Sequence, residues 1–71
     1  MTNFVPIEVE IHRETELAYG VIALEDGIPI NDEADLIWLP KSQINGGNQY
    51  GEGEVVEIGI PEWLANEHNL I

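Results

Sequence analysis

Apolar and polar residues alternate near the start of the sequence, which is the pattern of a β-strand with one buried face. The aliphatic positions share one side of this strand: Val5, Ile7, Val9 and Ile11. The polar positions share the other side: Glu8, Glu10 and His12. Successive side chains of a strand point to opposite faces. The pattern therefore predicts a strand with one face in a core and one acidic face in solvent.

Residues 17–24 predict a second, central strand because apolar side chains occupy both alternating positions. Helix is the alternative, since Leu17, Val21 and Leu24 also have helical spacing, but Tyr19 and Ile22 favour a strand. The polar residues 12–16 predict the turn between these two strands.

Residues 36–39 and 54–60 predict a third and a fourth strand. Pro40 ends the third, because proline has no N–H to donate to a ladder. In the fourth, the alternation places the side chains of Val56, Ile58 and Ile60 on one face.

The connections between these strands carry turn signals. Asp26 and Gly27 predict a tight turn, residues 28–33 predict a loop or an irregular edge, and the glycine-rich residues 45–53 predict a solvent loop.

A short helix is predicted at the C-terminal end. Pro61 suits its first turn, and Glu62 adds favourable negative charge there. These elements predict one domain over residues 1–71, mainly β within the α+β class. The sheet is either a four-stranded antiparallel meander or a small, partly open barrel capped by the helix. The alternative is a flatter α+β sheet with the helix packed across one face. Trp38 and Trp63 are expected to anchor the core, the commoner role of tryptophan.

The charge balance limits the partners of this chain. The chain has two Lys and Arg residues in total and 14 Asp and Glu residues, which gives a net charge of −12. Nucleic acids and anionic membranes are disfavoured, because both attract basic surfaces. A small domain needs a net charge of only about 2 to 8 for solubility. The acidic face either keeps the protein soluble or contacts a partner.

The sequence contains no motif that predicts catalysis, a cofactor or a metal site. Cysteine is absent, so neither a disulfide nor a thiolate site can form. The acids between residues 26 and 35 lack the spacing of a calcium loop. The first residues lack the features of a signal peptide, and no apolar run is long enough for a membrane span. We expect a protein without enzymatic activity, located in the cytoplasm.

Three segments resemble a pattern found in small phage and mobile-element accessory proteins. They are ETELAYGVIAL (14–24), WLPKSQI (38–44) and IPEWLA (60–65). Residues 28–35 and 45–53 are longer and more acidic than the corresponding turns of that pattern. The resemblance implies a phage protein acting in the host cytoplasm. Phages encode small acidic inhibitors of host defence, including anti-CRISPR proteins and restriction inhibitors, and some of these imitate DNA.

The charge and the resemblance favour an acidic protein that blocks a host nucleic-acid enzyme, such as a CRISPR effector, by charge mimicry. The expected partner is a host protein with a basic surface, without direct contact to nucleic acid or membrane, and a homodimer is left open. The candidate contact residues are polar or amphipathic: Glu8, Glu10, Asp32, Glu33, Asp35, Tyr50, Glu54 and Glu57. The alternative is an assembly accessory that pairs through a strand edge or the C-terminal helix.

Overall fold

The protein is mainly β, with an open antiparallel sheet and one short helix at its C-terminal end. The computed structural model describes residues 3–45 and 49–71. The strands are β1 (Phe4–Glu14), β2 (Ala18–Glu25), β3 (Ile28–Pro29), β4 (Ile37–Pro40) and β5 (Val55–Pro61). A 3₁₀ helix (Lys41–Gln43) follows β4, and α1 (Glu62–Glu67) follows β5.

β1 lies in the middle of the sheet, between β2 and β5. The other edge of β2 pairs with β3 and with β4. The longer strands therefore lie in the order β5-β1-β2-β4, in which the last returns beside the first as in a Greek key. The predicted meander is wrong in this detail. The connection between β4 and β5 is long enough to bring β5 beside β1, and an isolated bridge joins Asn45 to Gly59 on the edge of β5 that faces away from β1.

The hydrophobic core lies on one face of the sheet, as the alternation predicts. The sheet contributes Ile7, Val9, Ile11, Tyr19, Val21, Ala23, Leu39, Ile58 and Ile60. Ile44, Leu64 and Ala65 complete the core. The strand predicted at residues 17–24 is confirmed as β2, and its residues 19–23 are buried.

The turn between β1 and β2 begins later than predicted, because β1 continues to Glu14. An irregularity in register between Ile11 and Arg13 accommodates the extra length. Thr15 then closes the turn. Its N–H donates to the Ala18 carbonyl at 2.9 Å, and the Ala18 N–H donates to its hydroxyl at 3.1 Å.

The predicted turn at Asp26 and Gly27 is confirmed. Both residues have positive φ, 53° and 79°, as the central positions of a type I′ turn require. Glu25 and Ile28 pair directly across it. The edge predicted at residues 28–33 contains β3, which has only two residues.

The side chain of Asn31 fills the gap between β3 and β4 along the edge of β2. Its Oδ1 accepts the Ala23 N–H at 2.8 Å. Its Nδ2 donates to the carbonyls of Val21 at 3.2 Å and Asp35 at 3.0 Å. Backbone groups that neither edge strand reaches are satisfied by this amide.

Asn31→Asp tests this role. The substitution keeps the acceptor for Ala23 but removes both donors and places a carboxylate beside two carbonyls. We expect unfolding in urea to show a loss of about 2 to 3 kcal/mol. Asn66→Asp adds the same charge on the exposed side of α1 and should cost less than about 0.5 kcal/mol. Equal losses in the two variants would contradict the role assigned to the Asn31 amide.

Neither tryptophan anchors the core, so that expectation is wrong. Trp38 is 45% exposed and Trp63 is 55% exposed. Trp38 lies between Ile37 and Leu39, which face the core, so its own side chain faces the other way. In α1 the core position is taken by Leu64, which is buried.

The two neighbouring positions of α1 should respond differently to truncation. Leu64→Ala should lower the free energy of unfolding by about 2 to 4 kcal/mol, because it leaves a cavity in the core. Trp63→Ala should cost less than about 1 kcal/mol, because the ring is largely in solvent. Urea unfolding of both variants measures the difference, and a larger loss at Trp63 would show that its ring packs more tightly than its exposure indicates.

Candidate binding surface

The face of the sheet opposite the core carries three carboxylates on adjacent strands. We call Glu8, Glu10 and Glu57 the acidic face. Glu8 lies directly opposite Glu57 in the pairing of β1 with β5, and Glu10 lies two residues further along β1. Glu8 and Glu57 are exposed, and Glu10 is half-buried. The register thus brings three of the predicted contact residues together.

Glu8 and Glu57 form the closer of the two kinds of antiparallel pair. The Asn45 N–H donates to the Gly59 carbonyl at 2.8 Å, so the backbone groups of Gly59 point away from β1. The backbone N–H and C=O groups of successive residues point to opposite edges of a strand. The groups of Glu57, two residues before Gly59, therefore also point away from β1. In such non-hydrogen-bonded pairs the Cα atoms are about 4.5 Å apart. Like charges directly opposite each other destabilise a sheet, so this pair works against folding.

The predicted acids of the loop between β3 and β4 are exposed. Asp32 Oδ1 accepts the Ala34 N–H at 3.1 Å, and Asp35 supplies a carbonyl to Asn31. Glu33 Oε2 lies 3.2 Å from His12 Nε2. Because His12 belongs to β1 and this loop lies beyond β2, the pair crosses β2 and draws Glu33 toward the acidic face.

Tyr50, a predicted contact residue in the predicted solvent loop, is half-buried and packs against the core. Its ring centroid lies 5.9 Å from that of Tyr19, edge to face. The Tyr19 hydroxyl donates to the Tyr50 carbonyl at 3.3 Å and accepts the Tyr50 N–H at 3.1 Å. Tyr50 therefore attaches the loop to the sheet. The part of the predicted loop at residues 46–48 lies outside the described residues.

Glu54 lies apart from the acidic face and has a local structural role. Its carboxylate accepts the Gly51 N–H, and its carbonyl accepts the Ile11 N–H at 2.8 Å. The Gly53 N–H donates to the Ile11 carbonyl at 2.6 Å. These bonds hold the loop before β5 against the end of β1.

Among the described residues, neither strong base forms an ion pair with a carboxylate of the acidic face. Lys41 Nζ lies 2.6 Å from Glu14 Oε2 and 4.9 Å from the centroid of the Tyr19 ring. Arg13 is exposed, and within residues 3–45 and 49–71 it forms no ion pair. A cationic partner would therefore meet carboxylates that no base in the described part of the chain neutralises.

Two open grooves flank Asn69 at the end of β2, with volumes of about 390 and 430 Å³. Both are lined by Glu25 and Ile30.

Among the residues that the structure describes, no group of three or more His, Cys, Asp or Glu side chains is placed to hold a metal ion. In the same part of the chain, no helix combines the length and the apolar character that crossing a membrane requires.

Comparison of the sequence with protein-family models and curated proteins, and of the fold with solved structures, finds no match.

Neutralising either partner of the Glu8–Glu57 pair should stabilise the protein. We expect Glu8→Gln and Glu57→Gln each to raise the free energy of unfolding by about 0.5 kcal/mol at low salt. The double variant should gain less than the sum, because one substitution already removes the repulsion. Urea unfolding at two salt concentrations measures this, and the gain should shrink at high salt. Additive gains would show that the two carboxylates do not interact.

Proposed function

We propose that this chain is an inhibitory binding protein whose acidic face occupies a basic site on a host nucleic-acid enzyme, such as a CRISPR effector. The Glu8–Glu57 pair is the observation that carries the proposal. The register places two carboxylates directly opposite each other, where like charges repel, and within the described residues neither base pairs with them. A partner that supplies positive charge would relieve this repulsion.

The physical basis of inhibition is competition for a positive groove. An enzyme that binds nucleic acid presents a basic surface, and its field attracts any folded polyanion. Complementary charge raises the association rate and favours one orientation. With 14 acids and two bases, this chain has a negative net charge, which a basic surface attracts. The resemblance to phage accessory proteins supports a target in the host cytoplasm, and no chemistry is required of the chain itself.

The assembly accessory is the second candidate, and one observation favours it. Trp63 is 55% exposed on α1. Aromatic side chains are enriched at protein interfaces. This rival predicts binding through α1 that depends on apolar contact and changes little with salt.

Two triple variants separate the candidates. Glu8, Glu10 and Glu57 are replaced with Gln in the first, and the exposed Glu16, Glu62 and Glu67 in the control. Both lose the same charge. The proposal predicts that the first associates about tenfold more slowly with a purified CRISPR effector bound to guide RNA, because it loses local charge complementarity. The control should change by less than about twofold. Association is measured by biolayer interferometry, alongside cleavage of target DNA.

The same assay between about 50 and 500 mM NaCl tests the role of charge. Binding by the unmodified chain should weaken steeply as salt rises. Equal effects of the two triple variants would contradict a specific acidic face, and binding that is insensitive to salt and lost in Trp63→Ala would favour the accessory.

A further inference from the structure

The side chain of Trp38 lies across Gly20 on the same face of the sheet as the acidic face. The two residues are directly opposite in the pairing of β4 with β2. A Cβ atom at Gly20 would lie only 2.9 Å from Trp38 Cη2 and 3.0 Å from Cζ3. The outer part of the indole therefore rests on the glycine backbone, where a larger residue would displace it.

This contact leaves much of the indole in solvent. Leu36 Cδ1 would lie 3.1 Å from the same Cβ position, so Leu36 also covers Gly20. Yet Trp38 remains 45% exposed, although Gly20 beneath it is buried. Packing on one side limits the motion of the ring, and exposure on the other side leaves room for a ligand.

The acidic loop that precedes Trp38 favours a cation as that ligand. The loop that leads into β4 carries three exposed carboxylates, and Glu33 among them is drawn toward the acidic face by His12. Cations are attracted to the face of an aromatic ring, most strongly to tryptophan, and arginine makes this contact more often than lysine. The chain already holds one cation in this way, because Lys41 lies over Tyr19 and against Glu14.

We infer that Trp38 is an anchor for an arginine side chain of the partner, with the neighbouring carboxylates supplying charge complementarity. The inference rests on the proposed function and adds to it the chemical group that the partner brings. Arginine and tryptophan are among the residue types enriched at the energetic centres of interfaces.

Arg13 provides an internal test of whether that ligand is positively or negatively charged. It lies opposite Gly20 on β1, so Arg13, Gly20 and Trp38 form one row across the sheet. Its charge opposes a cation bound at Trp38. Arg13→Gln should therefore strengthen binding of a cationic ligand and weaken binding of an anionic one.

The experiment uses a peptide of eight arginines as the probe and isothermal titration to measure its affinity. Trp38→Leu should weaken binding about fivefold, whereas Trp38→Phe, which keeps an aromatic face, should lose less. Trp63→Leu removes the other exposed tryptophan and should change affinity by less than about twofold. Arg13→Gln should bind about twofold more tightly. Unchanged affinity in Trp38→Leu, or weaker binding in Arg13→Gln, overturns the inference.

A fluorescence measurement keeps the test valid if Trp38→Leu fails to fold. In Trp63→Phe, Trp38 is the remaining tryptophan, and its emission should change as the peptide saturates the protein. A peptide of eight glutamates should leave the emission unchanged. No response to the arginine peptide overturns the inference, as does an equal response to both peptides.

The effector then distinguishes failure of this inference from failure of the proposed function. If Trp38→Leu inhibits the CRISPR effector as well as the unmodified chain does, the anchor is wrong and the acidic face stands. If the arginine peptide binds at Trp38 but no effector is inhibited, the anchor stands and the proposed target is wrong.

Discussion

The pairing of β1 along both of its edges is the constraint on which the rest of the structure depends. Because β2 and β5 flank it, each of its side chains has neighbours on two sides. A shift of one residue in either register would turn Val9 toward solvent and Glu8 into the core, since side chains alternate with a period of two. The core and the acidic face are therefore two results of one alternation.

Local features of the fold could be predicted from sequence, and features that depend on distant residues could not. The alternation of β1 and the turn at Gly27 are encoded by residues close together in the chain. β5 could pair with either edge of the sheet formed by the earlier strands. The order of the four predicted strands in the sequence does not determine which edge it takes. The amide of Asn31 was missed for the same reason, because its partners Val21 and Ala23 lie on another strand.

The candidate site shows the same division. Glu8 and Glu57 could be placed on outward faces from their alternation, but only the register shows that they lie opposite each other. Glu54 carries the same charge and is predicted as a contact residue on the same grounds, yet its carboxylate accepts the Gly51 N–H. A carboxylate can be hydrated, can bind a partner or can accept a hydrogen bond from a backbone N–H. Composition does not distinguish these roles. The packing of Tyr50 could not be predicted, because its partner, Tyr19, is distant in sequence.

The return of β5 to β1 also affects how the chain is made. Pairing these strands closes a loop of roughly 50 residues. The chain loses conformational entropy in this closure before the contacts that compensate for the loss have formed. Folds dominated by distant pairings form slowly compared with helical ones. While the ribosome is still releasing β5, one edge of β1 exposes unpaired N–H and C=O groups. During that interval the nascent chain can pair with other strands, and the carboxylates along β1 keep such encounters between copies of the chain repulsive.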